Sequence, residues 1–308
     1  MNVRIACDGE EEIVGTSIVE FLETDERGAD ACLIFDGPMP EVDRPAFMLG
    51  TRGLLYYHLR ARSGERDLHS GLYGGVALNA IHGLMRALHA VASLPDELRA
   101  GTLPPTDEEL EAWKQLKPGT AMLTEEGAQP IDERAADDFY LRIFAEPSID
   151  VNGVRGGETD FQKTVLPVEA VANVSMRLAP GQAALEIGER FERLVREAAP
   201  RFLDLEIERR SITPPGFLPP DHPAVRLAQD AFERVLRKRP LLLRSGGTLP
   251  IVPALADKGI PTVWTGFDVP SGNVHSPNER LLVRYLPLGV AAAREVLVAF
   301  AGLSRAAP

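Results

Sequence analysis

The sequence predicts an α/β domain that is interrupted by a smaller α+β domain. The first observation is a pair of short apolar strands, residues 3–7 and 31–35, that each end in carboxylates, as in an α/β sheet with a site at its edge. The second is the order strand, helix, strand, strand, helix, strand within about 53–211, which is typical of a ferredoxin-like unit. We therefore assign 1–52 and 213–308 to one domain and 53–212 to an inserted one.

The remaining elements of the outer domain follow from the spacing of apolar residues. Helices are predicted where these residues recur every three or four positions, and strands where short apolar runs are bounded by glycine or proline. These elements are a helix over 16–23, an amphipathic helix over 223–237, a strand at 241–243, a helix over 251–258, a strand at 262–266 and a final helix from about 286.

A long alternating segment, residues 47–62, leads into the inserted domain, and Gly50 and Gly53 mark a bend in it. Residues 95–138 are rich in proline and acidic residues, so we expect an exposed excursion with short helices around 107–116 and 133–139. The other predicted elements are a helix over 76–94, strands at 141–144, 148–151 and 168–178, a helix over 183–199 and a strand at 203–209.

Composition excludes several classes of partner and location. The net charge of −12 argues against nonspecific binding to nucleic acid or to an anionic membrane. No apolar run is long enough for a transmembrane helix or resembles a signal peptide. Cys7 and Cys32 lie in apolar runs, which predicts reduced core thiols and a cytoplasmic protein.

An acidic turn, Asp8-Gly9-Glu10-Glu11-Glu12, follows the first predicted strand. Its four carboxylates repel one another, and a bound divalent cation would offset that charge. The alternative is a solvated acidic loop that caps the next helix, because carboxylates favour helix N-termini. These residues alone leave both interpretations open.

Two other strand ends carry groups of the same chemistry. Asp36 follows the strand at 31–35, and His275 lies in the loop after the strand at 262–266. Carboxylate oxygens and an imidazole suit zinc, manganese or cobalt. A carboxylate beside such a metal can act as general base toward a bound water. Together with Glu11 and Glu12, these residues predict a metal-dependent hydrolytic site.

Seven motifs in one order carry a resemblance that spans nearly the whole chain. The chain resembles the dinuclear metallopeptidases that include aminoacylases, carboxypeptidase G-type enzymes and carnosinase-like dipeptidases, and it is most similar to the dipeptidase branch. The resemblance implies a zinc-peptidase-like (phosphorylase/hydrolase-like) α/β catalytic domain with an inserted ferredoxin-like dimerisation lid. The motifs are GEEEI, the strand end at Asp36, RDLHSGLYGG, NGVRGGETDFQKTVLPVEA with RLAPGQ, SGGTLPI and NVHSPNE.

The resemblance implies a role for each residue of the predicted metal site. Glu11 is the general base, and Glu12 and His275 are ligands of one metal. Asp36 is a ligand of the second metal, because the family holds two per site. Zinc is the first expectation for the cofactor, with manganese or cobalt as alternatives.

The resemblance also implies residues that hold the substrate. His69 in the lid reaches the active site of the partner subunit of a homodimer and stabilises the oxyanion. Thr164, Arg177 and Thr248 hold the substrate's carboxylate or backbone, and a guanidinium suits a carboxylate because it binds bidentately. The alternatives are a surface ion pair for Arg177 and a helix N-cap for Thr248.

The sequence departs from the family pattern at its start. The family's first His ligand, in an H-x-D motif, and its bridging Asp have no counterpart here, so we expect an N-terminally incomplete catalytic domain. Val14 stands where the family has glycine. The leading expectation is a dipeptidase-type hydrolase that cleaves a peptide or amide bond near a free carboxylate. The alternatives are a homologue that dimerises without turnover and an amidase acting on N-acyl amino acids.

Overall fold

The computed structural model describes residues 1–13 and 16–303, and Val14 lies outside this part of the chain. The chain folds as two compact units. Unit 1 comprises Met1–Thr51, Pro104–Ala145 and Gly216–Pro308, and unit 2 comprises Arg52–Leu103 and Glu146–Pro215. Within the described residues, no helix has the length and apolarity needed to cross a bilayer.

The described elements agree in most places with the apolar spacing of the sequence. The strands are β1 (Cys32–Phe35), β2 (Ala46–Thr51), β3 (Gly53–Arg62), β4 (Leu68–His69), β5 (Ser148–Gly156), β6 (Val165–Leu166), β7 (Glu169–Leu178), β8 (Asp204–Thr213), β9 (Gly216–Phe217), β10 (Leu241–Ser245) and β11 (Thr262–Thr265). The helices are α1 (Ser17–Thr24), α2 (Ser70–Tyr73), α3 (Ala80–Ala92), α4 (Asp96–Arg99), α5 (Asp107–Trp113), α6 (Gly119–Glu125), α7 (Phe139–Ala145), α8 (Ala184–Ala198), α9 (Pro223–Leu236), α10 (Ile251–Asp257) and α11 (Tyr285–Phe300).

Unit 1 is built on a mixed sheet with the strand order β1-β11-β2-β10, and β9 pairs with β2. β1 runs parallel to β11 and β10 runs parallel to β2, whereas β11 and β2 are antiparallel. Parallel pairs bring the carboxyl ends of their strands to one edge of the sheet. The core against α9 and α11 contains Phe47, Phe232 and Tyr285.

Unit 2 confirms the predicted ferredoxin-like order. Its four-stranded sheet has the order β5-β7-β3-β8, with each neighbouring pair antiparallel. Alternate residues of β3 and β7 are buried, because one face of the sheet packs against α3 and α8. Tyr57 stacks on Phe191 in that core with 4.4 Å between ring centroids.

The compact units divide the chain differently from the predicted domains. Residues 104–145, which the sequence places in the insert, pack in unit 1. The physical reason is burial: Trp113 and Phe144 pack with Leu241 and Leu243 of β10. The proline- and acid-rich composition predicts exposure, whereas the apolar side chains within this segment are enough to cover one face of the sheet.

Three predicted elements are also wrong. Residues 3–7 lie exposed and outside any described strand, so Cys7 is an exposed thiol rather than a core one. A strand needs a hydrogen-bonded neighbour, and the described residues give this segment none. Residues 141–144 lie within the helix α7, and the predicted long strand over 47–62 divides at Arg52 into β2 and β3, which belong to different sheets.

Candidate active site

The acidic turn precedes helix α1 in unit 1. Asp8 organises it: its Oδ1 accepts hydrogen bonds from the backbone N–H of Glu10 (2.9 Å) and from the Ser17 hydroxyl (3.1 Å). Glu11 opens a single 3-10 turn. The N-cap of α1 is Thr16, and its side chain makes no capping hydrogen bond. These contacts give little support to a simple helix-capping role for the turn.

His275 meets the acidic turn directly. Its Nε2 lies 2.9 Å from Oε2 of Glu12, and about 70% of each side chain is exposed (72% and 68%). An exposed pair of this kind contributes little to stability. His275 itself has a φ of 59°, and Asn273 and Asn278 beside it are also left-handed. Residues held in sparsely populated backbone conformations are frequent at functional sites.

Asp36 reaches the same edge of the sheet from β1. Phe35 lies opposite Thr265 in the parallel pair of β1 and β11, so both chains leave the sheet together. They pass so closely that a Cβ on Gly266 would lie 2.0 Å from the carbonyl oxygen of Gly37. Only glycine permits this approach, which brings Asp36 beside the residues that follow β11.

Glu11, Glu12, Asp36 and His275 form one cluster, because their charges affect one another. The pKa of Glu11 is raised above its ordinary value, first by burial and then by the negative charges of Glu12, Asp36 and Asp8, while His275 lowers it. The cluster is therefore rich in carboxylates, as the strand ends predict. Its excess negative charge makes a nearby cation favourable.

Asp268 is a further acid of the cluster that the sequence argument missed. Burial raises its pKa, and the charges of Asp36 and Glu279 add to that effect, while His275 opposes it. Its backbone N–H donates to the carbonyl of Gly37 (3.3 Å). The signal was available in the sequence, because Asp268 follows β11 as Asp36 follows β1. Glu279 lies within the motif NVHSPNE.

The donor set is incomplete for a catalytic zinc. A carboxylate and an imidazole, from Glu12 and His275, are the right chemistry, but a catalytic zinc normally has three protein ligands. In residues 1–13 and 16–303, no group of three His, Cys, Asp or Glu side chains is arranged to hold a metal. These residues alone therefore do not form a full zinc centre, and we derive no chemical step through a metal.

The predicted lid residues lie in unit 2, where two of them come together. His69 pairs with Val165 across β4 and β6, and the Ser70 N–H donates to the carbonyl of Thr164 (2.9 Å). His69 is exposed, and its Nδ1 accepts the N–H of Gly71 (3.0 Å), which leaves Nε2 free to carry the proton.

Arg177 lies on the face of the unit 2 sheet opposite the one that α3 and α8 cover. It pairs with Leu54 of β3 and with Ser148 of β5. The neighbouring Arg52 has its pKa lowered to about 10, first by burial and then by the charge of Arg177, while Asp150 opposes the effect. Two guanidinium groups at one place suit an anionic ligand.

Thr248 lies in unit 1, in the glycine turn between β10 and α10. Its side chain is half-buried. The N-cap of α10 is Pro250, so the alternative role of Thr248 as N-cap is wrong. Thr248 belongs instead to the turn that begins at Ser245, whose hydroxyl accepts the N–H of Gly247 (3.0 Å).

An α/β unit with carboxylates and an imidazole at its strand ends, interrupted by a ferredoxin-like unit, defines the class of two-unit metallopeptidases. The sequence profile of the peptidase dimerisation domain matches residues 49–202, half of the chain. The chain belongs to this family of M20 metallopeptidases, and its motifs lie in the dipeptidase branch.

Relatives of known name agree with this assignment. Human Beta-Ala-His dipeptidase is 22% identical over 300 residues, which cover 91% of this chain and 58% of the relative. Cysteinylglycine-S-conjugate dipeptidase of Corynebacterium striatum is 24% identical over 299 residues, which cover 91% and 63%. The chain thus spans about three-fifths of the length of these relatives.

A solved structure shows the same fold. The M20 family metallo-carboxypeptidase Sso-CP2 from Sulfolobus solfataricus superposes with a TM-score of 0.77 at 23% identity. The match covers 96% of this chain and 70% of that one. The predicted α/β fold with a ferredoxin-like insert is confirmed.

Proposed function

We propose that the chain carries part of the active site of a metal-dependent hydrolase of the dipeptidase type. The observation that supports this most is the cluster of Glu11, Glu12, Asp36 and His275 at one sheet edge of unit 1. The two curated relatives named above are dipeptidases by name, and the metallopeptidase names among the matches support the use of a divalent metal. Zinc is the first candidate for the metal, with manganese and cobalt as alternatives.

Glu11 is the proposed general base. It accepts a proton from the attacking water while the water oxygen bonds to the scissile carbonyl carbon. The C–N bond then breaks, and the proton passes to the leaving amine. A metal, when bound, supplies polarisation of the carbonyl and acidification of the water. Glu12 and His275 would hold one such metal, and Asp36 is the proposed ligand of a second.

Substrate recognition is proposed for four residues outside this cluster. Arg177 pairs with the substrate carboxylate, and Thr164 and Thr248 donate hydroxyl hydrogen bonds to it or to the substrate backbone. His69 stabilises the oxyanion in the partner subunit's site. The substrate class is therefore a dipeptide, or another amide next to a free carboxylate.

The function is tested by hydrolysis of a panel of dipeptides and N-acyl amino acids in the presence of zinc, manganese or cobalt. We expect dipeptides to be cleaved and kcat to fall by about a hundredfold or more in Glu11→Gln, because general base catalysis supplies that much. Glu10→Gln, the exposed neighbour, is the matched control and should keep wild-type kcat. Cleavage of N-acyl amino acids alone would instead favour the amidase.

We also propose that the chain is a homodimer that pairs through β5 of unit 2. β5 is an edge strand with the sequence SIDVNGVRG, and Val151 and Val154 are 41% and 57% exposed. The opposite edge strand, β8, carries five charged residues in ten, which protect an edge from pairing. An edge strand with exposed apolar side chains can pair with a strand of a second chain.

The sequence of β5 is complementary to itself. Antiparallel pairing centred between Asn152 and Gly153 places Val151 opposite the other copy's Val154. The same register places Asp150 opposite Arg155, so an apolar pair and an ion pair both form twice. The name of the matching domain supports the dimer. A light-scattering mass of one chain would contradict it.

A cytoplasmic location is the last part of the proposal. Cys7 and Cys32 are both free thiols, and no disulfide joins them. Burial raises the pKa of the Cys32 thiol to about 11, which keeps it protonated and unreactive at neutral pH. Fractionation of cells that produce the chain checks the location.

A further inference from the structure

A fully buried ion pair lies behind the glycine turn of Thr248 in unit 1. Arg244 and Glu109 have no exposed side-chain surface, and Nε of Arg244 lies 2.6 Å from Oε1 of Glu109. Nη2 donates to Oε2 of the same carboxylate (3.0 Å) and to the carbonyl of Pro104 (3.1 Å). The guanidinium also lies 4.8 Å from the ring centroid of Phe217.

The carboxylate of Glu109 is equally satisfied. It receives Arg244 on both oxygens and also the N–H and hydroxyl of Thr106, at 2.9 and 3.1 Å, in a capping box that starts α5. The pair therefore joins α5 to β10 in one orientation. A bidentate fork fixes direction as well as distance.

Stability alone gives a weak reason for such a pair. The free energy needed to remove two charges from water is often larger than the free energy of their attraction. Proteins with well-packed apolar residues of similar volume at such positions are frequently as stable. A buried pair that is retained at this cost suggests a requirement for one geometry.

The geometry in question belongs to the turn that follows. Arg244 immediately precedes Ser245, and the register of β10 with β2 shifts between Leu243 and Ser245, so the strand ladder is irregular there. Gly246 and Gly247 then follow, and glycine restricts the backbone least. Arg244, whose guanidinium is held by Glu109, lies four residues before Thr248 in the chain.

We propose that Arg244 and Glu109 are a positioning pair that holds the Ser245–Thr248 turn in the place where Thr248 binds substrate. The part of this proposal that concerns substrate rests on the proposed function. The part that concerns the ordering of the turn does not. The pair acts through the backbone of the turn and does not touch the substrate. Residues 104–145, which include Glu109, therefore help to position the proposed substrate-binding turn.

The test replaces both partners by apolar residues, in Arg244→Met with Glu109→Met. We expect a KM for a dipeptide about tenfold higher with kcat within about twofold, since only binding geometry is lost. Backbone hydrogen exchange of residues 245–250 should accelerate about tenfold, while exchange in α9 and α11 stays unchanged. In a Thr248→Ala background the change in KM should disappear, because the pair acts through Thr248.

The control is the neighbouring exposed pair of Arg226 and Glu108, which also joins α5 to another element. Its double Met variant should keep wild-type KM and exchange. If the Arg244 and Glu109 variant does the same, the pair is purely structural and the proposal fails. Arg244→Lys, which keeps the charge but loses the fork, is the second variant should the double variant not fold. If the wild-type chain hydrolyses no dipeptide, the proposed function fails while hydrogen exchange still decides on the pair.

Discussion

At the scale of single residues, most members of the cluster in unit 1 were predictable from the sequence. Asp36 and the acidic turn were predicted because each follows an apolar strand, although the strand before the turn is absent from the described structure. The contact between Glu12 and His275 joins residues 263 positions apart, so no spacing rule reveals it. Asp268 was missed although the same argument applies to it.

Asp25 gives a prediction on pH. Hydrogen bonds from Arg27 and then Arg4 (2.8 Å) lower the pKa of this carboxyl from 3.8 to about 2. Its contribution to stability is therefore complete above pH 3.8 and is lost as pH falls toward 2. We expect the melting temperature of Asp25→Asn to lie below that of the wild type at pH 6, and the difference to shrink as pH falls to about 3.

Glu26→Gln is the control for this prediction, because Glu26 is the exposed neighbour of Asp25. Its difference in melting temperature should change much less over the same range. A constant difference for Asp25→Asn would mean that its ion pairs do not form in solution.

At the scale of elements, short apolar runs were the main source of error. Residues 141–144 suit a strand or a buried helix equally by pattern. They are helical because α7 packs against β10. The packing of residues 104–145 in unit 1 was equally hard to predict. The contact between Arg244 and Glu109 joins residues 135 positions apart, so it leaves no local pattern in the sequence. The ferredoxin-like order was predictable because its strands and helices are long and regular.

The β5 edge gives a prediction at this scale. Val154→Asp should convert the dimer to a monomer at micromolar concentration, because the variant places two new charges, one from each copy, against the partner's valines. Ile212→Asp is the matched control, since Ile212 lies on the opposite edge strand, β8, with the same 41% exposure as Val151. Light scattering measures both masses. Equal masses for both variants would place the interface elsewhere.

At the scale of the whole molecule, a family fold carries a cluster of carboxylates and an imidazole in unit 1. The order of the motifs predicted the fold and the family, because an ordered set of motifs survives where identity has fallen to about a fifth. Composition alone predicted neither. Which side chains share a cluster became known only from the folded chain.

We propose above that the acidic turn and His275 contribute ligands to a metal and are not only a solvated loop. Zinc titration by calorimetry tests this directly on the wild type, Glu12→Gln, His275→Ala and the control His222→Ala, a histidine that caps α9. We expect zinc binding to weaken about tenfold or more in the first two variants, since even outer-shell changes cost that much. We expect no change in His222→Ala. Equal zinc affinity in all four proteins would contradict the claim.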